Sequence, residues 1–299
     1  MMHVHNRDYT AVYLRPFINF GTGLFIFLSG LLTDPNQKNW RQFYYKRVTR
    51  VIVPYVIWSL VFTYECNTWA VFLKQLFSFQ CCPICYYIGV YLQFVLLTPA
   101  LGWLSRSRFW NVGFLITPVF LLVRYTIIFH GSDLSRPELY CMAWFTYYYL
   151  GICMHEGVIP VRYIKSCLLL GFSLCIQFIE GNLWFQANNY LMATTQVRLS
   201  SLLTNTIFFC LLGIWILNGH DIKCNLFTKM GVILGNSSFG IYLSHVPLIY
   251  SRVNEFIPRT FPVNAIVILA ISTIWISIAN RLLQVLSRGN NISKMLGLR

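Results

Sequence analysis

Charge is scarce in this 299-residue chain: Asp, Glu, Lys and Arg together make up 11% of it, and only nine residues are acidic. Soluble domains usually carry about 25% charged residues, so a water-facing surface of ordinary size cannot be assembled from this composition. Long polar stretches are missing too. The connections between apolar runs, such as SRSR, HGSDLSRPE and NGHDIKCNLFTK, are too short to form a soluble domain. There is also no Gly-rich phosphate loop, no GxSxG elbow, no HExxH pair and no tandem repeat. Their absence removes P-loop nucleotide enzymes, elbow-type serine hydrolases, helical zinc proteases and solenoids.

What is present is apolar. Hydrophobic residues make up 57% and aromatics 17% of the chain, with a mean hydropathy of +0.58. Windows of about 20 apolar residues, the length of a membrane-crossing helix, fall near 17–33, 51–73, 86–104, 110–129, 139–154, 164–181, 201–217, 230–250 and 263–283. The expectation is an all-α, polytopic membrane protein of about nine helices in one bundle, forming a single domain over 1–299. Most of the ten cysteines, Cys153, Cys167, Cys175 and Cys210 among them, sit inside apolar runs, where a thiol acts as a small hydrophobe. The CCPIC connection differs: Cys82 and Cys85 have the spacing of a redox or metal pair, with no second ligand pair beside them.

The net charge of +14 does not point to nucleic acid, because the basic residues lie in short connections and no soluble basic face exists to carry it. Their distribution orients the chain instead. Placing the connection after the first span inside puts 15 Lys and Arg on the inner side and 8 on the outer side, which predicts a cytoplasmic KRVTR connection and a cytoplasmic C-terminal tail over 282–299. With nine spans, Met1 then falls on the outer side. Because MMHVHN reads as the end of an apolar run, a further helix upstream of Met1 is expected.

Polar groups at membrane depth are costly unless paired or facing a wet cavity, so each is a candidate. His3 and His5 lie near the outer interface, and histidine is the side chain suited to take a proton near neutral pH; an inert terminal histidine is the alternative. Arg47 and Arg50 are three apart and share a helical face, with Lys46 beside them. Their planar forks suit phosphate oxygens, while a topology-setting or lipid-touching cluster is the other reading. Ser238, Tyr242 and His245 recur at i, i+4 and i+7, a polar stripe that lines a cavity or bonds a neighbouring helix. Asn19, Gln93, Gln177, Glu180 and Asn205 show no mutual spacing for a metal or triad site, so no metal is expected. Arg124 is the one cation more than two residues inside a span, and snorkelling to the outer interface is expected of it.

Five segments, in order, resemble a known family. FGTGLFIFLSGLL is similar to its aromatic-rich helix ending in Ser-Gly; FYYKRVTRVIVPYVIWSL to its basic signature followed by Pro-Tyr and Trp; YYIGVYLQFVLLTPAL to the next helix, which ends at Pro; WFTYYYLGICM to an aromatic-then-Gly segment; and SSFGIYLSHVPLI to a Ser-x-Gly-Ile-Tyr-x-x-His signature. On these, the chain resembles the membrane-bound acyltransferase type three family over about 1–281. The resemblance implies ten core helices and a bacterial inner-membrane enzyme that O-acetylates surface polysaccharide, lipopolysaccharide or a lipid-linked glycan, with acetyl coenzyme A as donor. It implies His3, with His5 as second choice, as the catalytic base, and an Arg about ten residues earlier, which would lie before Met1. Arg47 and Arg50, with Lys46, would engage the coenzyme A phosphates; Ser238, Tyr242 and His245 would line the cavity.

One geometric question stays open. His3 lies toward the outer face and the arginines toward the inner one, so either the pantetheine arm threads into the membrane or an acyl intermediate crosses. Two rival readings remain: a transporter or flippase for a lipid-linked glycan, which would be expected to show inverted repeats and paired broken helices, and an N-terminally shortened, inactive acyltransferase.

Overall fold

The computed structural model describes residues 12, 20–61, 68–159, 163–219, 226–250 and 263–285. Its helices in chain order are α1 (Gly21–Leu31), α2 (Trp40–Val61), α3 (Trp69–Phe77), α4 (Tyr86–Arg106), α5 (Ile116–Phe129), α6 (Phe145–His155), α7 (Tyr163–Gln186), α8 (Tyr190–Thr194), α9 (Leu199–Leu217), α10 (Leu226–Asn236), α11 (Ser238–Tyr250) and α12 (Val263–Val285), with 3-10 turns at Trp110–Leu115, Pro137–Leu139 and Cys141–Ala143. No strand occurs among the described residues. The protein is an all-α polytopic membrane protein. Among the described residues, four segments are long and apolar enough to cross a bilayer: Tyr86–Arg106, Trp110–Phe129, Cys167–Gln186 and Tyr190–Leu217. Large side chains left exposed along them, including Leu96, Trp103, Leu122, Leu168, Phe172 and Ile179, suit contact with lipid tails.

Local chemistry moves some expected boundaries. The basic signature is helical from Trp40, because the Asn39 side chain caps the helix by accepting the Gln42 amide at 3.0 Å. KRVTR and VIVPYVIWSL are therefore one helix. The apolar run over 51–73 is not one continuous helix, since Thr68 is extended and starts α3 by accepting the Val71 amide. The run over 230–250 is likewise divided at Ser237, between α10 and α11.

Two compact units are formed, each from two separate stretches of chain: Met1–Lys38 with Gln93–His220, and Asn39–Leu92 with Asp221–Arg299. In the first unit α6 is the core. Every residue from Phe145 to Met154 is buried, as a helix that is apolar all round should be. Its three consecutive tyrosines point about 100° apart and so reach three different neighbours. Tyr147 is hydrogen-bonded by Asn205 of α9 at 3.3 Å, Tyr148 shares a bond with Thr98 of α4 at 2.9 Å, and Tyr149 donates to the Trp110 carbonyl at 2.7 Å. Buried tyrosines need such partners.

The crossing of α1 and α6 is the tightest feature of this unit. A Cβ on Gly30 would lie 2.2 Å from the Tyr148 carbonyl oxygen, and one on Gly151 would lie 2.4 Å from the Phe27 carbonyl oxygen. Both obstacles are backbone, which cannot swing aside as a side chain can. Small residues at such crossings let helices approach closely enough for dispersion to hold them in a bilayer.

Charge at depth is paired rather than displaced outward. Arg124 does not snorkel: it is 1% exposed and donates two bonds to Asp133, at 2.9 and 2.8 Å, and a third to the Val197 carbonyl at 3.0 Å. Asp133 is in the following connection and reaches back, so the guanidinium has no need of water. Arg198 is also buried and donates to the Ala193 carbonyl at 2.8 Å. Glu180 accepts from the Tyr125 hydroxyl, from Trp184 at 3.3 Å and from the Ser200 amide at 3.1 Å. Gln177 donates to Ser201 at 3.0 Å.

A polar clasp gathers the connections that follow α1, α4 and α6. Asn36 donates to Glu156 at 3.0 Å, Arg106 pairs with Glu156 at 3.6 Å and also donates to Asn36, and His155 meets the Leu31 carbonyl at 2.9 Å. The ligand atoms of Asp34, His155 and Glu156 lie within 4.8 Å of one another.

Two predictions follow from this packing. Gly30→Ala or Gly151→Ala should lower stability by about 1–3 kcal/mol, the usual cost of overpacking, read as a lower unfolding midpoint in detergent. Burial alone would raise the Asp133 pKa, but the Arg124 bonds and charge outweigh it, so the carboxyl titrates below its ordinary value. That contribution is complete above the unfolded value of about 4 and is lost as pH falls through the lower folded value. Asp133→Asn should therefore flatten this part of the acid limb and, by leaving a buried guanidinium without its counter-charge, destabilise by on the order of 3 kcal/mol.

Candidate functional site

The second unit contains both groups singled out from the sequence, the basic cluster on α2 and the polar stripe on α11. Their helices differ in how they present them. On α2, Lys46 and Arg50 are exposed and Arg47 is half-buried, because Arg47 turns toward the start of α4. Its guanidinium lies 5.5 Å from the Phe43 ring centre, one helical turn back, and reaches the Tyr91 hydroxyl at 3.5 Å. The stacking is worth about 0.5–1 kcal/mol at such a site. Pro54, within the same helix, has no N–H to give the Arg50 carbonyl.

On α11, Ser238 is the first residue, while Tyr242 and His245 lie along one face with ring centres 6.0 Å apart. The His245 Nδ1 is 3.2 Å from the Ile241 carbonyl of its own helix. Tyr242 donates to the Ile84 carbonyl, just before α4, and meets the Tyr87 ring edge-on at 5.4 Å. Phe239 stacks on its other side at 6.4 Å.

Tyr87 and Tyr91 join the two groups. They are four apart on α4 and stacked at 6.3 Å, so one face of a helix turn touches Arg47 at one end and Tyr242 at the other. The result is a continuous row running from Arg47 through Tyr91, Tyr87 and Tyr242 to His245. Sequence reasoning missed the two linking tyrosines, although the i, i+4 spacing in YYIGVY was the available signal. Ser238 has no place in this row, and His3 and His5 lie outside the described residues.

Among the described residues, the charge along the row is of one sign. No acidic residue occurs in α2. Among the described residues the ion pairs are Arg106 with Glu156 and Arg124 with Asp133, and none of the described carboxylates pairs with Lys46, Arg47 or Arg50. Three cations within five positions, one backed by aromatic rings and two facing outward, are suited to a polyanion such as a pyrophosphate.

An all-α membrane protein with a cationic helix leading into an aromatic row is the class defined so far. The chain belongs to the acyltransferase family whose model, described as an acyltransferase domain, matches residues 2–281. Among curated proteins it is similar to those named "Probable poly-beta-1,6-N-acetyl-D-glucosamine export protein" from Staphylococcus aureus strains MSSA476, MRSA252 and N315, each 28% identical over 289 residues, covering 88% of this chain and 78% of the relative. No solved structure matches.

The row predicts a graded response. Tyr242→Phe, which removes the hydroxyl from the Ile84 carbonyl but keeps the ring, should cost about 1 kcal/mol. Tyr87→Ala, which interrupts the row, should cost more through lost burial and ring contact. Chemical unfolding in detergent measures both.

Proposed function

We propose that this protein is an O-acyltransferase that moves an acetyl group from acetyl coenzyme A to a hydroxyl of a surface polysaccharide, lipopolysaccharide or lipid-linked glycan in a bacterial inner membrane. The observation that carries the reading is the cluster of Lys46, Arg47 and Arg50 without a carboxylate partner among the described residues, on a chain of the acyltransferase family. The relatives' printed name, which refers to poly-beta-1,6-N-acetyl-D-glucosamine, supports a glycan acceptor.

In the reaction the acceptor oxygen attacks the thioester carbonyl, the carbon–sulfur bond breaks, and acetyl ester and free coenzyme A result. His3, or His5 in its place, takes the hydroxyl proton, which ends on the departing sulfur. Such assistance gives about a hundred- to ten-thousand-fold in rate. Arg47 and Arg50, with Lys46, hold the donor's phosphates, and Tyr242, His245 and Ser238 brace the cavity beyond. A charged hydrogen bond of this kind is worth about 1.5–3 kcal/mol.

The relatives' name also favours a second reading, export of a glycan. Membranes carrying the protein, supplied with labelled acetyl coenzyme A, separate the two. Acyl transfer should put label on glycan; Arg47→Ala with Arg50→Ala should raise the donor KM by about tenfold or more, and His3→Ala should lower the rate by at least about a hundredfold. Surface polymer that appears normally without any label transfer would favour export and remove the acyl-transfer assignment.

A further inference from the structure

In the connection before α4, the Cys82 and Cys85 sulfurs lie 2.9 Å apart, within about 1 Å of the covalent S–S distance. Both side chains are buried, and neither is bonded to another cysteine. The backbone is shaped to hold them together: the Cys85 amide donates to the Cys82 carbonyl at 3.1 Å, closing a turn over the four residues. This turn leads directly into α4 at Tyr86, so the thiols sit at the positive end of a helix macrodipole, where a thiolate is favoured.

The two sulfurs are not equivalent. The contact with the Cys85 sulfur and the nearby Ile84 and Cys85 amides outweigh burial and hold the Cys82 pKa below the usual thiol value, while the contact with Cys82 and burial push Cys85 up. Cys82 keeps 6% of its surface exposed and Cys85 none, so Cys82 is the more accessible residue of the pair.

The geometry points to Cys82 and Cys85 as a reversible dithiol–disulfide centre, with Cys82 as the attacking sulfur and a small-molecule or protein disulfide as its oxidant. The Cys82 thiolate attacks one sulfur of the external disulfide, giving a mixed disulfide and releasing one thiolate. Cys85 then gives up its proton and attacks the Cys82 sulfur, forming the internal disulfide and releasing the second thiolate. Two protein thiols are oxidised, one external disulfide is reduced to two thiols, and the protons end on those leaving groups. Ile84, whose carbonyl takes the Tyr242 hydroxyl, lies between the two cysteines, so closing the bond acts next to the aromatic row. The assignment stands on this turn alone, independently of acyl transfer.

The test equilibrates the full chain in detergent with glutathione disulfide and maps alkylation by mass spectrometry. Cys82 and Cys85 should lose alkylation together, with a loss of two hydrogens that dithiothreitol reverses, and Cys81→Ser should leave this unchanged. Cys85→Ser should trap a glutathione adduct on Cys82; Cys82→Ser should leave Cys85 without one. Continued alkylation of both cysteines in the wild-type chain, or a bond formed with Cys81 instead, would overturn the assignment whatever the variants do.

Discussion

At Gly30 and Gly151 two helix backbones meet with no side chain between them, and much of the first unit depends on that contact. Lipid tails solvate apolar side chains as well as a protein interior does, so helices in a bilayer gain little from hydrophobic burial and must gain from close fit. With α1 seated on its backbone, α6 is enclosed, and its tyrosines can each be assigned a different neighbour through Asn205, Thr98 and the Trp110 carbonyl. Those hydroxyl bonds are directional where dispersion is not. They give a membrane core a specific arrangement that apolar contact alone would leave loose.

The treatment of charge follows the same logic. A guanidinium at depth can reach for the interface or bring its partner with it, and Arg124 does the second through Asp133. Arg198 uses backbone carbonyls at the end of α8 instead. These groups are saturated with internal partners and therefore serve structure. Lys46, Arg47 and Arg50 are the contrast: their helix contains no acid, and the partners observed for Arg47 are a phenyl face and a phenol. A charge held by neutral groups retains its capacity to attract an anion.

Much of this was legible in residue order. The apolar windows located α1, α4, α5, α7 and α12 to within a few residues, because a 20-residue apolar run has few alternatives to a helix. The segments that carry the family resemblance have physical meaning in the fold: Ser29-Gly30 and Gly151 belong to two of them and face one another across one crossing. Less legible were interruptions such as Thr68 and Ser237, where a single cap or turn residue outweighs continuing hydrophobicity. Glu180, Gln177 and Asn205 showed no mutual spacing because their partners come from other helices, as Tyr125, Ser201 and Tyr147 show.

By itself, the sequence determined the helical class, the membrane setting and the family, since composition, window length and motif order are properties of the chain and need no folding to be read. It also singled out the basic cluster of Lys46, Arg47 and Arg50 as a candidate. Only the tertiary structure decided which charges are already paired, that Tyr87 and Tyr91 connect Arg47 to Tyr242, and that Cys82 and Cys85 stand sulfur to sulfur. Hydrogen bonds and ring contacts act over a few ångströms between residues far apart in the chain, and spacing along a sequence reports such neighbours only within one helix.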